Sequence, residues 1–278
     1  MLDNAPVFRA SLKVTLDILL AVACCAVIFI IMRFTVIPLI LSLVELTEIQ
    51  THAVKGLVNL LSFSLGYWLF ARFYEKRKAV ELVFSVRDMV FGTLLGAAII
   101  SVTTLPLFTF GYYQVVANQS FDEIFFAIIG LTTQAIFGAI LFTGIIYRLI
   151  EQRIGTKYSL LSLSVALGTL NILVDGPDLV VLLSSTLINA LWFSIYILSR
   201  NLWVVGLANG AWLSAVFATG ILDEHWRASA PIVSQYNGPV LITGGEFGPE
   251  HSIITIVVVT LCVFLLLRAA KAKELLLA

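Results

Sequence analysis

The sequence predicts an all-α polytopic membrane bundle with eight spans and both termini on the cytoplasmic side. Three observations carry that expectation. Of 278 residues, 60% are hydrophobic and only 12% charged, and the mean hydropathy is +1.01, far outside the soluble globular range. Eight apolar runs approach the ~20 residues that a roughly 30 Å hydrocarbon core requires. The basic residues gather in alternate connecting segments, as the positive-inside bias demands.

In chain order the runs are 16–34, 53–71, 90–110, 124–147, 158–174, 179–198, 202–222 and 252–267. With the N-terminus inside, the cytoplasmic segments hold 14 of the 17 Lys and Arg residues, leaving Arg33, Lys55 and Arg227 outside. The outer loop 112–123 carries Asp122 and Glu123 and no base. The chain divides into 1–123, three N-terminal spans with a basic loop; 124–222, a core of four spans; and 223–278, an outer loop with the last span.

Ser11 is placed to cap the first span, and Asp17 lies near its cytoplasmic end, within reach of water. The run Ala21-Val22-Ala23-Cys24 resembles a lipoprotein cleavage site, but the apolar stretch continues to Met32, so the first helix is expected to stay uncleaved. Segment 35–48, with Pro38, Glu45 and Glu48, suits an interfacial helix or an outward extension of that span. In the basic stretch 72–87, Arg72, Lys76, Arg77 and Lys78 either set orientation or hold anionic lipid. The Gly- and Pro-rich segment 223–251 is expected to form a lid or re-entrant loop, with Glu250 and His251 capping the last helix.

Composition also excludes functions. A net charge of zero, with the bases spread as topology signals, gives no sign of a nucleic-acid partner. Cys24, Cys25 and Cys262 fall inside spans and read as packing residues. His52, His225 and His251 all lie on the outer side, the last two beside carboxylates such as Asp223, Glu224, Glu246 and Glu250, but without a recognised ligand spacing. No metal and no cofactor is expected.

Three pairs of positions four residues apart stand out on separate helices: Ala139 with Thr143, Leu167 with Asn171, and Asn209 with Leu213. That spacing sets both members on one helix face, aimed at a common cavity. Around them, Gly138-Ala139-Ile140-Leu141-Phe142-Thr143-Gly144, Arg148-Leu149-Ile150-Glu151-Gln152-Arg153-Ile154-Gly155, the stretch from Leu160 to Asn171, and Leu202-Trp203 through Asn209-Gly210-Ala211-Trp212 follow in order. With Gly244-Gly245-Glu246-Phe247-Gly248-Pro249-Glu250 in the outer loop, this pattern resembles the CPBP family, which contains type II CAAX prenyl proteases and bacteriocin-processing or immunity proteins. The likeness covers about a third of the chain, and its shared residues are mostly Gly, Phe, Leu and Trp.

The resemblance implies an intramembrane protease frame. In active members the first motif is two glutamates followed by an arginine, positions held here by Gly138, Ala139 and Thr143. A phenylalanine four residues before a histidine falls on Leu167 and Asn171, and a histidine four residues before an asparagine falls on Asn209 and Leu213. All seven positions depart from the pattern. Peptide hydrolysis needs a base to deprotonate water and donors for the developing oxyanion, and an amide neither titrates near neutral pH nor ligates metal well. No catalytic residue is therefore expected.

What the sequence leaves is a polar lining drawn from Gln134, Thr143, Asn171, Asn189 and Asn209. Such residues serve either as interhelical hydrogen-bonding glue or as the walls of a surviving pocket. The leading expectation is a pseudoenzyme of a bacterial plasma membrane that binds another membrane protein or a peptide. Two rivals stand beside it: an active endopeptidase that uses Glu246, Glu250 and His251 from the outer loop, and a small-molecule transporter.

Overall fold

The computed structural model describes residues 5–175, 178–220 and 230–277, and it is nearly all-α. Its elements are α1 (Ala5–Leu43), α2 (Glu48–Leu69), α3 (Val86–Thr109), β1 (Tyr113–Asn118), α4 (Ile124–Gly138), α5 (Arg148–Asp175), α6 (Leu179–Ser199), α7 (Leu202–Ala218), β2 (Ile232–Tyr236), α8 (Val240–Thr243) and α9 (Ile253–Ala272). Two stretches wind as π-helix: Phe70–Tyr74, which extends α2, and Ala139–Tyr147, which joins α4 to α5. Six helices are long and apolar enough to cross a membrane. The longest of these, Ile124–Leu173, is interrupted at Gly155, whose φ of 78° and ψ of 167° are not helical, and α7 is a shorter apolar helix.

Local chemistry sets the helix starts. Thr47 and Gln50 form a reciprocal capping box at α2, with bonds of 3.2 and 3.3 Å. Asp178 caps α6 through Val180 N at 2.6 Å, Asn201 caps α7 through Trp203 N at 2.9 Å, and Ser252 caps α9 through Thr255 N at 3.1 Å. Each cap satisfies a backbone donor that the helix itself leaves open.

Two local expectations are corrected. Helix α1 already runs through Ser11, so that serine does not start it. Ser252, not Glu250 or His251, caps α9, because Pro249–His251 is already turned as a 3-10 helix. Strand Ile232–Tyr236 pairs antiparallel with Tyr113–Asn118 as a two-stranded ribbon, with Tyr113 opposite Tyr236 and an irregularity between Val115 and Ala117. Segment 35–43 continues α1 as one helix, with Pro38 inside it; Asp223, Glu224 and His225 lie outside the described residues.

α7 is the central helix, apolar on every side because α3, α4 and α6 surround it. Two glycine pairs let the backbones approach. Gly92 and Gly96 of α3 face Val204 and Ala208 of α7, where a Cβ on Gly96 would sit 1.9 Å from Ala208 O. Gly206 and Gly210 of α7 face Ile136 and Thr132 of α4, where a Cβ would approach to 2.6 and 2.9 Å. Small residues four apart are the usual way for membrane helices to gain close van der Waals contact, since lipid is as apolar as leucine.

At one end of the bundle six charged side chains fold inward. Arg148 grips Glu75 through two contacts of 2.9 Å, donates its Nε–H to Gly144 O at 2.9 Å, and lies 3.6 Å from Glu81. Arg77 bonds Glu75 at 2.9 Å and Glu81 at 2.7 and 3.0 Å, and Tyr67 also donates to Glu81. Arg200 pairs with Glu151 and donates to Leu275 O at 2.7 Å, while Thr156 donates to Glu151 at 2.7 Å and takes Leu277 N at 2.8 Å. Asn201 and Trp203 reach the carbonyls of Val83 and Leu82. The network therefore ties the α2–α3 link, the Gly155 break, the α6–α7 link and the C-terminal segment into one face.

Burial pushes the Glu81 carboxyl upward, but the hydrogen bonds from Arg77 and Tyr67 outweigh it and hold the group below the usual carboxylate range. Burial lowers Arg200, and its bonds to Glu151 more than reverse this. Glu81 and Arg200 are thus kept charged.

Candidate functional site

A cavity of about 300 Å³ lies between α4 with its π-helical extension on one side and α6 on the other, with α7 closing the back. Its size is at the small end of ligand pockets. It is lined by Gln134, Gly138, Ala139 and Thr143 from the first side, by Asn189, Trp192 and Phe193 from α6, and by Val205, Asn209 and Leu213 from α7, with Ala135, Phe137 and Phe142 filling between. Gln134 and Phe142 are exposed, so the mouth opens sideways between α4 and α6. Thr143 at 2% and Ala139 at 6% exposure form the floor.

Local winding explains the placement. The π-helix carries Ala139 and Thr143 together, and π-helical turns inside α-helices mark functional sites more often than chance would give. Gly144, one residue on, packs directly against Leu202, whose Cδ1 would be 2.7 Å from a Cβ added there. Gly138 differs: a Cβ there would meet nothing within 4 Å, so the position faces the open chamber. Behind Leu213, Trp212 packs edge-on against Trp192 with ring centres 5.7 Å apart and donates its indole N–H to Glu250.

The structure brings together the first and third motif positions, Gly138, Ala139, Thr143, Asn209 and Leu213, with Gln134 and Asn189. It does not bring the second. Leu167 and Asn171 are absent from the lining, and Asn171 is exposed on α5. The reason is the packing of α5 on α6, where Gly168 sits so close to Thr186 that a Cβ would lie 2.3 Å from its hydroxyl. That contact fixes the Ser164–Gly168 row inward, and a row offset by about a third of a turn faces elsewhere.

The lining is chemically neutral. Among the described residues, no carboxylate, imidazole, thiol, lysine or arginine lines the chamber. Asn189 donates to Ser185 O of its own helix at 2.8 Å, and Gln134, Thr143 and Asn209 make no side-chain hydrogen bond to another described residue. None of the four therefore acts as glue between helices. They offer a guest several amide donors and acceptors and one hydroxyl.

Two of the three groups expected for an alternative chemistry, Glu250 and His251, are engaged elsewhere. Glu250 takes the Trp212 indole, and His251 Nδ1 lies 2.7 Å from Ser184 Oγ. The Ser184 hydroxyl also lies 2.7 Å from Val180 O of its own helix, so His251 is held against α6 and away from the chamber lining. The Glu246 side chain lies outside the description, and among the described residues no group of three metal-ligating side chains occurs. The three cysteines are unpaired thiols in α1 and α9. No family model and no curated protein matches this chain.

Proposed function

We propose that this chain is an eight-span membrane protein of CPBP type, N-in and C-in, that binds a segment of another membrane protein or a peptide and does not cleave it. The observation that carries the reading is the chamber itself: three polar side chains with open hydrogen-bonding capacity face a space whose lining holds no titratable group. A guest backbone entering sideways would meet amides and a hydroxyl suited to peptide N–H and C=O. Nothing in that lining would activate water.

Two arguments support eight crossings. As one rod, Ile124–Leu173 would extend about 75 Å at 1.5 Å per residue, more than twice a ~30 Å core, so the Gly155 break divides two crossings. The same face gathers the α2–α3 link, that break, the α6–α7 link and the C-terminal segment, as an even number of crossings requires. The Lys and Arg bias makes that face cytoplasmic. A bacterial plasma membrane is the setting that the family resemblance implies.

The test is affinity capture from native membranes with the wild type and with a Thr143→Val, Asn209→Leu double variant of matched thermal stability. A membrane protein retained by the wild type and lost by the variant is the expected result. Identical co-purifying proteins, or cleavage of a membrane peptide that stops on Asn209→Ala, would overturn the reading.

A further inference from the structure

A second cavity, of about 360 Å³, lies where the apolar run of α1 begins, between α1, the π-helical end of α2 and the start of α5. Its walls are Lys13, Val14, Asp17, Tyr74, Glu75, Leu149, Gln152 and Arg153. Two acids and two bases line it, but their states differ. Glu75 is consumed by Arg148 and Arg77 at 2.9 Å, and Asp17 accepts the Tyr74 hydroxyl at 2.7 Å. Lys13 and Arg153, by contrast, form no ion pair and no side-chain hydrogen bond with any described residue, and both are exposed.

We infer that this cavity holds the phosphodiester headgroup of an anionic glycerophospholipid. Glu75 is neutralised by its arginines, so Lys13, Arg153 and Asp17 leave the site with one net positive charge, matched to a headgroup of one net negative charge. Arg153 supplies a planar fork for two phosphate oxygens, Lys13 a point charge from the facing helix, and Gln152 a further donor. The Asp17 carboxylate accepts a hydroxyl of a polyol headgroup. Lys13 and Asp17 flank the start of the apolar run 16–34, which sets the cavity at phosphate depth whichever face is cytoplasmic. Basic pockets between helices at that depth are favourable lipid sites, each base contributing near the membrane surface.

The experiment is native mass spectrometry of the full chain in mixed micelles with dioleoylphosphatidylglycerol or dioleoylphosphatidylethanolamine, comparing wild type with the Lys13→Gln, Arg153→Gln double variant. A Lys271→Gln, Lys273→Gln variant removes equal charge outside the cavity and serves as control. Phosphatidylglycerol affinity is expected to fall about thirty-fold in the first variant, which is ~2 kcal/mol at ~1.4 kcal/mol per tenfold, and to stay unchanged in the second. Equal losses in both variants, no loss in either, or equal retention of the two lipids overturns the assignment. Displacement of phosphatidylglycerol by millimolar inorganic phosphate does so too, since the ligand would then be free phosphate.

Discussion

Arg148 and Glu75, separated by 73 positions, form a two-pronged ion pair in which both contacts measure 2.9 Å and the arginine is only 4% exposed. Fork-to-fork geometry adds direction to charge, and removal of one partner leaves an uncompensated buried charge. Arg148→Gln is expected to cost about 3–5 kcal/mol of stability. Replacing both partners, as in Arg148→Met with Glu75→Gln, should cost less than the single change, and detergent thermal melts of the two will show it.

Glu81 gives the network a pH signature. Its carboxyl is held below the ordinary carboxylate value of about 4.3 by Arg77 and Tyr67. The unfolded chain therefore binds a proton before the folded one does. The stabilisation is fully present above the unfolded value and is lost as pH falls through the lower folded value. Melting temperatures from pH 7 to pH 3 should decline along an acid limb that is shallower in Glu81→Gln.

Two glycines separate a structural role from a free surface. Gly96→Ala would drive a Cβ into the Ala208 carbonyl, so overpacking of about 1–3 kcal/mol is expected. Gly138→Ala meets open space and should be neutral, or more stable by up to ~1 kcal/mol through helix propensity. Unfolding of both variants in mixed micelles measures the contrast.

Rebuilding the first and third motifs with Gly138→Glu, Ala139→Glu, Thr143→Arg, Asn209→His and Leu213→Asn should not restore peptide cleavage, even in a variant that folds. The histidine position of the second motif is held by Asn171, which is exposed on α5 and outside the chamber lining. Release of a fluorogenic membrane peptide above the background of empty liposomes would refute this.

Hydropathy alone located every long apolar helix, because a run of leucine, isoleucine and valine at Leu16 or Ile253 has one low-energy environment. Direction was harder. A spacing of four told that Leu167 and Asn171 share a face with each other, but not that Gly168 against Thr186 would aim the neighbouring row inward. Arg77, Arg148 and Arg200 read as topology signals because their acidic partners are distant in sequence or hidden among other charges. The β1–β2 ribbon was missed as well: Tyr113-Gln114-Val115-Val116 and Ile232-Val233-Ser234 are short β-branched and aromatic runs, too brief to outweigh their loop context. The glycine pairs Gly92/Gly96 on α3 and Gly206/Gly210 on α7 are small residues four apart, a signal of close helix packing that was passed over.

The most direct test places a photocrosslinking phenylalanine analogue at Phe142, at the chamber mouth, and at Asn171 as an exposed control, in native membranes. The account expects a discrete crosslinked polypeptide of intact length from position 142 and diffuse lipid adducts from 171. Equal products from both positions, or a crosslinked polypeptide truncated in wild type and intact in Asn209→Ala, would contradict a chamber that binds without cutting.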